Sequence, residues 1–412
     1  MRLLHTTTLQ FAEYYDQDTP AYAILSHRWL DGQEVSYIDY CLCVDQARYG
    51  EKLPEYLCDK ANTIRSRSGF TKILDFCKVA WLAGLAWVWI DTCCIDKSSS
   101  AELTEAINSM WNWYERSALC IVYFNDVETD ASYAGISSSA WFTRGWTLQE
   151  LLAPSRLNFF DRDWIPLYQL DKATFKAKKR TAAMYYLMDD PDWAEFGHML
   201  AQASHVPAPF VCGYQSLHSA SAAMKLSWAS FRRTSRVEDR AYSLLGLLGI
   251  NMPLLYGEGQ QAFIRLQKEF IQTYDDESIL AWCSTCPSPN LSSHCFSGVL
   301  ATNLECFQAS GDIVTIMQYG KPPWQTINQL LQVEAAVYVQ SANGASTTTL
   351  LLPLACKHCD ERGRLHLELT ASSSTGAGVG HYMRVSACKL ISAGMQRQAT
   401  DDRRLLLHLN ER

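Results

Sequence analysis

Four apolar runs constrain this chain more than any other feature. Each ends abruptly in polar residues, and a helix-patterned segment separates it from the next. They are "YAILSHRW" (22–29), "AWVWIDTCCID" (86–96), "ALCIVYFNDV" (118–127) and "LNFFDRDW" (157–164). Runs this continuous suit strands that are covered on both faces. After the first run, "KILDFCKVAWLAGL" (72–85) has apolar residues at 73, 74, 77, 80, 81 and 85, a helical spacing. "SSSAELTEAINSMWNWYERS" (98–117) opens with cap serines and acids and continues at the same period. "WFTRGWTLQELLAP" (141–154) is a further helical segment, stopped by Pro154. This alternation predicts an α/β fold, a parallel sheet with helices on both faces. In such sheets ligands bind beyond the carboxyl ends of the strands. Ser26, His27, Arg28 and Trp29 fall at one such end, Asp91 to Asp96 at a second, and Asn125 with Asp126 at a third. The polar residues thus gather at one rim.

A chain of 412 residues exceeds one ordinary core, so about two or three domains are expected. The α/β pattern fills 1–168. Residues 169–276 read as a mainly helical extension, clearest in "RVEDRAYSLLGLLGI" (236–250) and "GEGQQAFIRLQKEFIQTY" (257–274). Residues 277–412 read as a small β-rich domain, from alternating runs such as "EAAVYVQS" and "RLHLELTA" and a turn at "SSSTGAGVG" (372–380). Apolar residues at 48% and charged residues at 19% describe a folded globular protein. A net charge of −7 implies no basic face, so no nucleic-acid partner is expected. The most apolar run, 79–90, is too short to span a bilayer. The 15 cysteines are scattered and odd in number, and "MRLLHTTTLQF" lacks the apolar core of a signal peptide. Reduced thiols in a cytosolic or nuclear compartment are expected, with the cytoplasm as the location.

No "GxxxxGK[ST]", "GxSxG", "HExxH" or "GxGxxG" occurs in the chain. No cofactor and no metal is expected. "CKHC" (356–359) offers only three soft ligands close together and reads as a turn with ordinary thiols. Adjacent Cys93 and Cys94 read as core thiols. His27 either satisfies a backbone carbonyl at its strand end or contacts a ligand. Arg28 either meets a phosphate or carboxylate or pairs with Asp91 or Asp96. Glu150 lies one helical turn after Trp146 on the same face. One reading makes it a buried carboxylate paired with Arg144 or Arg28. The other makes it a carboxylate facing a rim pocket walled by Trp146. In that setting one acid can stabilise an oxocarbenium-like sugar centre. Most glycosidases need a second carboxyl as proton donor, but a pyridinium on an N-glycosidic bond departs neutral. A lone acid and an aromatic wall therefore suit cleavage of NAD.

Three blocks carry a resemblance: "YAILSHRWLDGQEVSY", "WVWIDTCCIDKSSSAELTEAINSMWNWYERSALCIVYFNDV" and "WFTRGWTLQELLAPSRLNFFDRDW". Over roughly residues 20 to 165 the chain resembles the heterokaryon incompatibility (HET) domain of filamentous fungi. Residues 227–271 resemble the segment that commonly follows it. The resemblance implies a role in non-self recognition and programmed cell death, in the manner of innate immunity. HET domains are regarded as distant relatives of TIR domains, which implies a TIR-like, flavodoxin-like sheet. TIR enzymes cleave NAD with a glutamate four residues after a tryptophan. This carries the catalytic role to Glu150 and a pocket-wall role to Trp146. It places Ser26, His27 and Asp91 at the pocket, with Arg28 and Trp29 beside them as substrate-binding residues. NAD would be substrate rather than cofactor. The alternative is a non-catalytic signalling module that acts by oligomerisation or by binding an upstream recognition protein.

Overall fold

The computed structural model describes residues 1–412 apart from 50–53, 130–131, 173–190, 284–295, 317–323, 328–329, 336, 342–347, 362, 374–379, 391–402 and 409–412. The chain divides into two compact units, Met1–Gln215 and Ser216–Arg412. The boundary falls within the stretch read as a helical extension.

The first unit is built on one sheet. Its strands are β1 (Arg2–His5), β2 (Phe11–Glu13), β3 (Tyr22–His27), β4 (Trp87–Trp89), β5 (Leu119–Tyr123), β6 (Arg156–Phe160) and β7 (Pro166–Asp171). Their order is β2-β1-β4-β3-β5-β6-β7. The expected parallel core is present: β3 runs parallel to β4 and β5, and β5 to β6. The expectation of a wholly parallel sheet is corrected at both edges. β1 is antiparallel to β4 and to β2, and β7 is antiparallel to β6. "RLLH" and "FAE" are too short to stand out as strands. "LNFFDRDW" is not one strand either. β6 ends at Phe160, and the Asp161 carboxylate then accepts the Asp163 and Ile165 N–H groups at 2.9 and 2.8 Å, closing a turn.

Among the described residues, three helices lie between β3 and β4: α1 (Tyr37–Tyr49), α2 (Glu55–Arg65) and α3 (Ser68–Leu82). α1 and α2 occupy the stretch between the first apolar run and the predicted helix at 72–85. α3 covers most of the predicted helix but starts earlier, at Ser68. α4 (Ser100–Arg116) joins β4 to β5, and Ser99 caps it by accepting the Glu102 N–H. Glu102 in turn accepts the Asp96 N–H at 2.8 Å and an Arg2 N–H at 2.8 Å. This variant of a capping box ties the loop after β4 to the first strand. α5 (Tyr133–Ser137), a 3-10 turn at Ala140–Thr143 and α6 (Thr147–Leu152) lead into β6. α7 (Pro191–Ser204) follows β7.

Numbered by appearance, the parallel strands β3, β4, β5 and β6 stand in the order 2-1-3-4. The step from β3 to β4 goes one way and the step from β4 to β5 goes back past β3. Right-handed crossovers therefore put α3 and α4 on opposite faces. α4 and α6 pack together, and α6 rests on β3. The Tyr114 hydroxyl of α4 donates to the Leu25 carbonyl at 2.8 Å, fixing that helix on the strand. The order reverses between β3 and β5, the position beyond whose strand ends ligands bind in sheets of this kind.

The second unit carries helices at Ala222–Ser230 and Gln261–Thr273 and a sheet of eight strands among the described residues. The sheet path runs from Gln325–Ile327 through Leu330–Ala335, Arg403–His408, Gly380–Leu390, Leu365–Ser373 and Thr348–Pro353 to Tyr338–Ser341. All of its pairings are antiparallel except that of Gly380–Leu390 with Arg403–His408. Most of the turn expected over 372–380 lies outside the described residues.

Candidate functional site

Successive residues of a strand point to opposite faces. At the end of β3 this alternation sorts the predicted site residues into two hydrogen-bonded groups. Ser26 faces α6. Its hydroxyl donates to Glu150 Oε2 at 2.5 Å and accepts the Trp141 indole N–H at 2.9 Å. Ser26 is fully buried and Glu150 is 8% exposed. The Cys120 thiol of β5 donates to the Glu150 carbonyl at 3.8 Å, and burial and the Glu150 charge both keep that thiol protonated. Trp146 precedes the first turn of α6 and is half-buried. The Trp146 carbonyl accepts the Glu150 N–H at 3.4 Å, the helical bond that joins the two positions.

His27 faces the other way, toward α3. Its Nε2 lies 3.0 Å from Asp91 Oδ1, and the Trp29 indole N–H donates to Asp91 Oδ2 at 2.8 Å. The Lys97 ammonium sits 4.3 Å from the centre of the Trp29 ring and donates to the Asp91 carbonyl at 2.6 Å. Asp91 thus clasps the loop after β3 to the loop after β4. Behind it, Lys72 of α3 is buried and donates to Glu34 at 2.6 Å. Burial and the nearby Lys72 charge lower His27, so the ring is neutral despite its contact with Asp91. Its Nε2 then carries the proton toward Asp91, and Nδ1 is left buried without a hydrogen bond among the described residues. Burial alone would raise the Asp91 carboxyl. The His27 hydrogen bond, the Lys97 charge and the Trp29 indole outweigh it and hold Asp91 below the usual carboxylate range.

Arg28 is half-buried and pairs with neither Asp91 nor Asp96. Asp91 is engaged as described, and Asp96 accepts from the Ser98 hydroxyl at 2.6 Å and the Ser98 N–H at 3.0 Å. The Arg28 guanidinium therefore remains available to an anion. Asp126 caps the 3-10 turn, accepting from the Ser139 hydroxyl and the Ala140 N–H at 2.6 and 2.9 Å. No group of three metal-ligating side chains occurs among the described residues, the "CKHC" segment included.

Sequence reasoning missed Trp141, Lys72, Glu34 and Lys97. Trp141 carried a usable signal. A buried indole N–H needs an acceptor, and a serine inside "AILSH" needs a partner. The lysines and Glu34 carry no comparable mark.

Residues 22–137 match the family described as "Heterokaryon incompatibility protein (HET)". The chain carries a HET domain. The matched span includes Ser26, His27, Arg28, Trp29 and Asp91 and ends before Trp146 and Glu150. The chain is also similar to the vegetative incompatibility protein HET-E-1 of Podospora anserina, with 36% identity over 261 residues. That alignment covers 61% of this chain and 16% of the relative, so the chain spans a small part of the relative's length. No solved structure matches the chain. No helix among the described residues is long and apolar enough to cross a membrane.

Proposed function

We propose that this HET domain is a TIR-like hydrolase that splits the N-glycosidic bond of NAD or a related nucleotide. In this reading it acts in the cytoplasm as an effector of non-self recognition and programmed cell death, under an upstream recognition protein. The likeness to a vegetative incompatibility protein supports the biological setting. The 2-1-3-4 order of the parallel strands, common to flavodoxin-like sheets, supports the TIR comparison. One observation carries the chemistry. The Glu150 carboxylate is held by Ser26, the second-last residue of β3, the strand beside which the order reverses.

As the bond breaks, the electron pair leaves with nicotinamide and positive charge grows on the ribose ring. Glu150 faces that charge in a site largely shielded from water, where the attraction is stronger than in solution. Water then adds to the sugar carbon and releases a proton, giving neutral nicotinamide and an ADP-ribose product. Arg28 holds phosphate and Trp146 forms the wall.

The test compares the wild-type chain with Glu150→Gln, at high protein concentration with NAD. Glutamine keeps an oxygen that accepts from Ser26, so packing is preserved. Turnover is expected to fall at least about a hundredfold, while the melting temperature moves by less than about 4 °C. Equal turnover in both proteins would overturn the catalytic role.

One observation favours a second reading, a module that acts by assembly. Along α3, Leu74, Trp81 and Leu82 share a face, and Trp81 and Leu82 are 56% and 68% exposed. Absence of turnover in both proteins, with a wild-type assembly that Trp81→Glu disperses in sedimentation, would select it.

A further inference from the structure

We infer that Trp141 and Ser26 form a one-way hydrogen-bond relay that keeps Glu150 ionised and aimed, which makes both of them positioning residues for the carboxylate. The inference rests on the catalytic reading only for its effect on turnover. The relay itself is a property of the fold.

The direction follows from donor and acceptor inventory. An indole nitrogen can only donate. Trp141 Nε1 lies 2.9 Å from Ser26 Oγ, so the serine oxygen accepts there. Ser26 has a single hydroxyl hydrogen. Among the described residues the one acceptor within its reach is Glu150 Oε2, at 2.5 Å. The hydrogen therefore points at Glu150, and a hydrogen bond donated to the carboxylate favours its charged form. A distance of 2.5 Å falls in the range of a hydroxyl bonded to a charged carboxylate.

The start of the relay is rigid. Trp141 is 1% exposed. Phe124 stands edge-on to its ring at 5.6 Å and Phe142 at 5.0 Å, both at 90°. The Thr147 hydroxyl donates to the Trp141 carbonyl at 2.7 Å, tying the 3-10 turn to the first residue of α6. The middle is rigid too, because Ser26 sits in β3, paired with Val122 of β5. A flexible hydroxyl on a loop would sample several orientations. This one is left with a single orientation, and it polarises the serine toward the carboxylate.

The experiment uses the full chain with glutamate side-chain carboxyls labelled by carbon-13. The Glu150 resonance is assigned by its loss in Glu150→Gln. Its titration is compared in wild type, Ser26→Ala, Ser26→Thr and Trp141→Phe, alongside pH profiles of NAD turnover. A hydrogen bond to a charged group favours the charged form, so its removal raises the midpoint. Ser26→Ala is expected to raise the Glu150 midpoint by about one to two pH units. Trp141→Phe raises it by less, because the serine remains but is free to rotate. Ser26→Thr restores it. In an active enzyme the acid limb of the turnover profile moves by the same amounts. An unmoved Glu150 titration in folded Ser26→Ala overturns the relay, whatever the turnover. If Ser26→Ala fails to fold, Trp141→Phe decides alone, and an unmoved midpoint there overturns the relay equally. Shifted titrations in a chain that never cleaves NAD support the relay and count against the NAD reading.

Discussion

His27 and Ser26 are neighbours in sequence, yet they answer to different electrostatics. Ser26 serves a negative charge, whereas His27 is a base kept neutral between Lys72, Glu34 and Asp91. The sign of its effect on stability follows. The folded protein binds a proton at His27 less readily than the unfolded chain, whose histidine titrates near 6.5. As pH falls through that value the unfolded state gains a proton that the folded state refuses, and stability drops. Asp91 acts in the same direction but lower. Its depressed carboxyl contributes stability above about 3.9 that is lost as pH falls further. Urea midpoints measured from pH 7.5 to 5 should therefore decline in the wild type. They should decline less in His27→Gln, which can still donate to Asp91. The difference in slope approaches at most about 1.4 kcal/mol per pH unit. Identical slopes would show that His27 takes up its proton in the folded state.

At the scale of elements, the parallel core was legible and its surroundings were less so. β3, β4, β5 and β6 are apolar runs that end in charge or amide, and α4 announces itself through Ser99 and the acids behind it. α1 is silent because its apolar residues form no clear stripe. Tyr40 and Cys43 are buried on α1, but exposed Ile38 breaks the pattern. The candidate site was half legible. Residue types at strand ends gave Ser26, His27 and Asp91, and helical spacing after Trp146 gave Glu150, but period-two alternation splits the strand residues between faces in a way that composition does not reveal. Trp141 is a core residue, and its buried N–H was the part overlooked.

Gly69, in the first turn of α3, offers a test at this scale. A Cβ there would lie 2.3 Å from the Gln33 carbonyl oxygen and 3.0 Å from Glu34 Cα, both main-chain atoms. Helix propensity favours alanine over glycine by about 1 kcal/mol. The backbone collision outweighs that gain, because the loop carrying Glu34 must move away from Lys72. Gly69→Ala is therefore expected to destabilise the chain by about 1 to 3 kcal/mol in chemical unfolding. A stabilised variant would mean that the loop yields freely.

For the whole molecule, the division at 215/216 places every residue of the candidate site in the first unit. That unit has its own sheet and its own core, from Leu3 and Leu4 through Ile24, Val88, Ile121 and Phe159. A fragment ending at Gln215 is expected to unfold cooperatively, with coincident far-ultraviolet and tryptophan-fluorescence transitions. If the NAD reading holds, the fragment also retains turnover that depends on Glu150. A fragment without a cooperative transition would show that the second unit is needed for folding.

The two-sided pairing of β3 bears on which genetic changes this domain can absorb. Ile24 lies opposite Trp89 on one flank and Cys120 on the other, so the strand cannot slide against one neighbour without sliding against both. Losing a single codon between 22 and 25 would turn the imidazole to the glutamate side and the hydroxyl to the lysine side, dismantling both clusters at once. Natural variation in this family should therefore proceed by exchange of side chains along that strand, while changes in length collect in the connections around it.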